Sequence, residues 1–267
     1  MFPMETKKML AEIKEAATRS LRFARWCPLL FALPVVVELI QHVIEVNNGF
    51  YDSLADMKAM QGAPARMAMG HVKVLMLMLA GFWVARFLAF DDDVRAARSI
   101  NAKAAWLFVP VLAWGILNLV LVQDGPAIAV ALGMEAEAAS MLLLVFMVAG
   151  LIFSPCLSAW KVAAATGNDR IGFIRSIRLV RGSYLWALGF SLVVTLPLIA
   201  VHEGVALVVL GRGPIPTWLL LIADSLFVGF MAVIMVTTEY IIARRVTLRR
   251  DVPLLPEQVS GYGALPV

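Results

Sequence analysis

The sequence predicts an all-α, polytopic membrane protein with six transmembrane helices arranged as three hairpins. Three observations carry that reading. Of 267 residues, 61% are hydrophobic and only 16% are charged, where an average soluble chain is roughly half apolar and about a quarter charged. The mean hydropathy is +0.84. The apolar residues arrive in blocks of about 20, the length that crosses a hydrocarbon core at 1.5 Å per residue. Together these exclude a soluble enzyme and a disordered chain. They also exclude an outer-membrane barrel, whose strands alternate apolar and polar residues.

The first 27 residues are not a signal peptide. They are too long before the apolar block, they mix Glu12 and Glu15 with lysines, and no A-x-A site follows. Met9, Ile13, Ala16, Ala17, Leu21 and Ala24 recur at helical spacing, which predicts an amphipathic helix lying in the membrane interface. Six spans follow, at 28–46, 71–90, 105–122, 139–160, 184–210 and 217–242. Residues 1–250 read as one transmembrane domain. Residues 251–267, with Pro253, Pro256, Gly261 and Gly263, read as a disordered cytoplasmic tail. Gly125-Pro126 and Gly211-Arg212-Gly213-Pro214 read as tight outer turns, and Gly81, Ala85 and Ala89 as a small-residue stripe for helix contact.

Lys and Arg set the orientation. With both termini inside, 19 of the 23 fall on the cytoplasmic side, and Lys58, Arg66, Lys73 and Arg212 are left outside. That expectation is a bacterial-type inner membrane with N- and C-termini cytoplasmic. It accounts for the basic balance without any nucleic-acid partner.

Three stretches before the odd-numbered spans look alike: Arg19-Ser20-Leu21-Arg22, Arg98-Ser99-Ile100-Asn101 and Arg175-Ser176-Ile177-Arg178. They recur at intervals of 79 and 77 residues, each followed by a basic residue (Arg25, Lys103, Arg181) and then Trp26, Trp106 or Trp186. This suggests repeat units 19–90, 98–160 and 175–242 around a pseudo-threefold axis along the membrane normal. Arg before every outward span is also what topology alone demands. Arg19, Arg22, Arg25, Arg98, Lys103, Arg175, Arg178 and Arg181 are the candidate contacts to lipid headgroups. Asp91-Asp92-Asp93 and Asn168-Asp169 read as helix caps.

Ser176-x-Arg178-Leu179-x-Arg181-Gly182 with Trp186, and the last span ending Glu239-Tyr240-Ile241-Ile242-Ala243-Arg244, carry a family resemblance. They resemble bacterial six-helix membrane proteins of the YciC type and the membrane domain attached to some glycerophosphodiester phosphodiesterases. The resemblance covers roughly residues 170–245 and implies a fold rather than an activity, because no phosphodiesterase domain is present in this sequence.

An ionisable residue within a span costs about 2.5–3.5 kcal/mol on the insertion scale, so each such group should face protein or water. Here they gather in the outer halves. Glu38, His42 and Glu45 stack on one helix face at i, i+4 and i+7. His71, Asn118, His202, Glu203 and Asp224 lie at the same expected level, with Lys73 a partner for Glu38 or Asp224. One reading has these groups simply reaching headgroups and water. The other has them lining an outward-opening cavity for a cation, a proton or a lipid headgroup. A metal site would need ligands from different helices without an H-E-x-x-H run, and no metal or cofactor is assigned. Cys27 and Cys156 are expected as buried thiols, and the 14 methionines as packing.

No G-x-S-x-G, P-loop or H-E-x-x-H occurs, which points away from an enzyme. The first functional expectation is a non-enzymatic inner-membrane protein that binds lipid or a membrane partner. The alternatives are a transporter or channel with an outward-facing polar site, and a membrane enzyme at the His/Glu cluster. Whether those side chains converge decides between the first and the other two.

Overall fold

The computed structural model describes residues 2–256, and no strand occurs among them. Six helical stretches are long and apolar enough to cross a membrane: Pro28–Asn47, Pro64–Ala89, Ala102–Ala131, Ala136–Thr166, Tyr184–Val209 and Pro214–Leu248. The surface agrees with lipid as solvent. Leu29, Trp106, Leu185 and Ile215 are each more than three-quarters exposed, as apolar side chains are where the surroundings are hydrocarbon.

The chain divides into two compact units, one of Met1–Gly81 with Leu192–Val236 and the other of Phe82–Ser191 with Thr237–Val267. The boundaries cut through three of the long helices and do not follow the units 19–90, 98–160 and 175–242. The three Arg-Ser motifs also differ locally, so the repeat is not confirmed. The first is interior to a 25-residue helix, the second straddles a helix end, and the third lies within an eight-residue helix.

In the first unit, α1 (Phe2–Trp26) packs on α2 (Pro28–Asn47). Its buried stripe is Ala16, Ser20, Phe23 and Cys27, while Leu21, Arg22, Arg25 and Trp26 are exposed. Pro28 opens α2 at a position where a missing N–H costs nothing. The α2 helix is apolar outside and polar inside: Val36, Ile40 and Val43 are exposed, whereas Glu38, Gln41, His42 and Glu45 are buried. After α2 the chain turns through Gly49, at φ +73°. It then enters α3 (Leu54–Met60), where Ser53 Oγ accepts from the Asp56 N–H. The first unit also holds residues 64–81 of α4 (Pro64–Ala89), 192–209 of α10 (Tyr184–Val209) and 214–236 of α11 (Pro214–Leu248). Phe50, Tyr51, Met57, Val209 and Leu221 form a core there, and the Gly211 N–H donates to the Tyr51 carbonyl. Helices α2 and α11 approach closely at Gly229, where a Cβ would overlap Val35 and Phe31.

The second unit begins with the end of α4 and α5 (Val94–Arg98), capped by Asp93 Oδ1 accepting from Arg95 and Ala96 N–H. Asn101 caps α6 (Ala102–Leu119) in the same way. The expected turn at Gly125-Pro126 is corrected. One π-helical turn, Val120–Asp124, leads directly into α7 (Gly125–Ala131). Pro126 sits in the first turn of α7, where its missing donor breaks no hydrogen bond. Helices α6 and α7 both pack on α8 (Ala136–Thr166). That helix ends at Gly167, at φ +85°. Asn168 and Asp169 do not cap α9 (Phe173–Val180), whose N-cap is Gly172. Asn168 instead donates to the Pro253 and Leu254 carbonyls. The stretch expected to begin a free tail is therefore held at its start, and residues 257–267 lie outside the described residues.

Two further contacts build this unit. Ser176 Oγ donates to the Cys156 carbonyl (2.7 Å) and accepts from the Trp160 N–H (3.1 Å). An α-helix normally joins those two groups to each other, so the hydroxyl is inserted into the α8 ladder and docks α9 there. Lys161 Nζ meets Glu239 Oε1 at 2.5 Å, pairing α8 with α11. Cys27 and Cys156 are both buried.

Candidate functional site

The polar face of α2 is the floor of a cavity of about 150 Å³ in the first unit. Glu38, His42 and Glu45 converge there with His202 and Glu203 of α10, Asp224 of α11 and Lys73 of α4. Tyr51 and Arg66, from the segments on either side of α3, complete the polar lining. Headgroup-reaching side chains on separate helices would not share one enclosure.

The geometry is that of a connected network. His42 Nε2 lies 3.2 Å from Asp224 Oδ2 and 3.6 Å from Glu38 Oε1. His42 Nδ1 faces Glu45 Oε2 at 3.1 Å and the Tyr51 hydroxyl at 3.0 Å. The Tyr51 hydroxyl itself donates to Glu45 Oε2 at 2.6 Å, so its oxygen is free to accept from the imidazole. Both contacts therefore place an N–H at Nδ1 of His42. Burial and the neighbouring Glu45 carboxylate raise the pKa of Tyr51 above that of an ordinary phenol, which keeps it a donor. His202 Nδ1 lies 2.9 Å and 3.0 Å from the two oxygens of Asp224. Lys73 Nζ pairs with Glu38 Oε2 at 3.1 Å, and Arg66 Nε donates to Glu45 Oε1 at 2.9 Å.

Exposure falls from rim to floor. Arg66, His202 and Lys73 keep 28%, 20% and 19% of their side chains exposed. Glu38, Glu45 and Asp224 are 1%, 3% and 3% exposed. The lining's four carboxylates, Glu38, Glu45, Glu203 and Asp224, face two cations, Lys73 and Arg66, an excess of two negative charges before its histidines are counted. One hydrogen-bond position is unfilled. Gln41 Nε2 donates to Glu45 Oε1 at 2.9 Å, which fixes the amide's orientation because a carboxylate can only accept. Gln41 Oε1 is then left buried with no donor. Such an atom costs about 1–3 kcal/mol unless something fills the position.

Two residues expected at this level are not part of the lining. His71 Nδ1 is 2.8 Å from the Met67 carbonyl of its own helix. Asn118 belongs to the second unit and donates to the Trp114 carbonyl at 2.6 Å. Each bond closes one turn of the residue's own helix, so neither side chain reaches the cavity. In the other direction, Gln41, Tyr51 and Arg66 join the site without having been singled out. Gln41 was discoverable, because it lies three residues after Glu38 and four before Glu45, on the same helix face. Tyr51 and Arg66 come from loop and helix-start positions that carry no periodic signal.

The basic residues expected at headgroups divide into two groups. Arg19 is buried and 3.7 Å from Glu15, and Lys103 pairs with Asp169 at 2.8 Å. Arg22, Arg25, Arg98, Arg175, Arg178 and Arg181 are exposed. Arg86, read from the sequence only as a topology charge, is 4% exposed. Its guanidinium donates to the Ala96 carbonyl (3.1 Å), the Ala165 carbonyl (2.9 Å) and Ser99 Oγ (2.8 Å).

No protein-family model, no curated protein and no solved structure matches this chain, so its function is read from the geometry above.

Proposed function

We propose that the protein is a cation-handling membrane protein of the transporter class, with the Glu38–His42–Asp224 cavity as its binding site. One observation carries the reading: ionisable side chains from four membrane-length helices share one cavity whose fixed charges, its histidines aside, sum to two negative. Buried charge in an apolar surrounding is expensive and marks ion pathways by default. A cation is the ligand that neutralises the excess. The Lys/Arg asymmetry supports an N-in, C-in orientation in a bacterial-type inner membrane, with the cavity reached from the outer side. Kinship with the YciC-type proteins is proposed on the resemblance alone and adds no activity.

The test is flux. Purified protein in liposomes is given an inward gradient of protons, read by an internal pH dye, or of a divalent cation, read by an internal chelating dye. The expected result is a flux that Glu38→Gln and Asp224→Asn abolish. Absence of both flux and cation binding in the wild type would overturn the proposal.

A second reading has its own support. Arg175 and Arg178 of α9 are exposed while Ser176, Leu179 and Val180 are buried. That polarity suits a helix resting against anionic headgroups. Sedimentation with anionic versus zwitterionic vesicles would not distinguish variants of an integral protein. The measurement is instead native mass spectrometry, in which a retained anionic lipid should be lost on replacing Arg175 and Arg178 with Gln.

A further inference from the structure

We infer that the cavity floor is a divalent transition-metal site of the zinc class, formed by Glu38, His42, His202 and Asp224. The inference rests on the cation-binding reading above and names the cation. One donor atom each from Glu38, His202 and Asp224 already lies within 4.8 Å of the other two. Donors around a tetrahedral zinc at 2.0–2.1 Å are about 3.4 Å apart, so closure needs shifts of only about 1 Å. His42 Nε2, at 3.2 Å from Asp224 and 3.6 Å from Glu38, is the fourth donor.

The outer contacts of His42 already hold the ring as a metal ligand would need it held. Its Nδ1–H is held by Glu45, and Glu45 is itself held by Tyr51, Gln41 and Arg66. A metal-bound imidazole nearly always donates its far N–H to a carboxylate, a backbone carbonyl or water, which fixes the tautomer and aims the other lone pair at the metal. Here the freed Nε2 is aimed at two carboxylates. Without a metal, Nε2 carries a proton that it donates to Asp224, and a metal would take that proton's place. The undonated Gln41 Oε1, on a residue 5% exposed, is an independent sign of a missing positive or donor group at this floor. The mixed two-nitrogen, two-carboxylate set suits zinc better than calcium or magnesium, which prefer oxygen alone. Lys73 is the competitor. Its Nζ holds Glu38 Oε2 at 3.1 Å from a partly exposed position, so it is the group that must withdraw when the metal enters.

The test uses the full chain in detergent, stripped with chelator and dialysed against buffered free Zn²⁺, with bound metal measured by mass spectrometry. The expected result is about one zinc per chain, and a Co²⁺ derivative with the visible absorption of a four-coordinate site. His202→Asn and Asp224→Asn should lose the metal. Glu45→Gln, which among the four proposed ligands contacts His42 on its far side, should weaken binding by about 10–100-fold. Lys73→Met should tighten it, an effect that a purely structural Lys–Glu pair would not produce. Zinc binding that is absent in the wild type, or unchanged in both His42→Asn and His202→Asn, overturns the inference. If zinc fails while liposomes still show a proton flux that Glu38→Gln abolishes, the cation-handling reading stands and only the metal is wrong. If neither appears, both fall.

Discussion

Two buried charge centres in this chain solve the same problem in different ways. In the second unit, the Arg86 guanidinium is matched by two carbonyls and a hydroxyl, with the Phe82 and Phe90 rings 5.5 Å and 5.4 Å from its central carbon. In the first unit, four carboxylates, two histidines, a lysine and an arginine surround a cavity, and a buried amide oxygen has no protein donor. The Arg86 centre is filled and joins elements. The cavity lining carries surplus carboxylate charge. A buried charge that is fully spent on its own fold reads as structure, whereas one that leaves capacity unspent reads as a site.

That difference can be broken or sharpened by substitution, beginning where the largest effect is expected. Arg86→Ala leaves the buried Ala165 carbonyl without its guanidinium donor and removes a charge-assisted staple, which should cost about 3 kcal/mol. The readout is the melting temperature in detergent, and Arg86→Lys should recover little because an ammonium cannot span three acceptors. A wild-type-like Tm for Arg86→Ala would erase the contrast. Gly229→Leu should be next, because overpacking of this kind costs about 1–3 kcal/mol where α11 meets α2. Ser176→Ala should cost about 1 kcal/mol by withdrawing the hydroxyl inserted in α8. Asp224→Asn should shift Tm less than any of these while cation retention falls at least about tenfold. A large Tm loss there, with retention intact, would turn the cavity into a second staple.

The smallest effect is electrostatic and exposed. The Lys103 ammonium holds the Asp169 carboxyl below its ordinary pKa. A depressed carboxyl contributes stability above its unfolded pKa of about 3.9 and loses it as pH falls through the lower folded value. Lys103→Ala should therefore lower Tm slightly at neutral pH and leave it unchanged at a pH below the folded pKa, where the pair is already lost.

Much of this was legible from composition, because lipid imposes length and apolarity on every span. The six spans were predicted within a few residues at most ends, although α4 begins at Pro64 and α11 runs on to Leu248. The face shared by Glu38, His42 and Glu45 follows from helical spacing alone. The partnership of His42 with Asp224 does not, since it depends on how two distant helices are rotated against each other, which no local period encodes. His71 and Asn118 misled for a related reason. A polar side chain can satisfy itself on its own helix one turn back, and composition looks the same either way. The turn expected at Gly125-Pro126 shows the other weakness, because a proline stops a helix only if the chain does not restart around it.

The separation of His42 from Asp224, 182 positions along the chain, has a consequence for biogenesis. Glu38 gains Lys73 after only 35 residues. The imidazole and its carboxylate partner on α11 must wait for nearly the whole polypeptide. At roughly 5–20 residues per second of synthesis, that wait is about 10–40 s. During it, the first span holds an incompletely matched polar face that hydrocarbon would reject. The nascent chain must therefore be sheltered, by the insertion machinery or by water at the membrane boundary, until its last helix arrives. A ribosome stalled before Asp224 should leave the first helix still within reach of cross-linkers on that machinery.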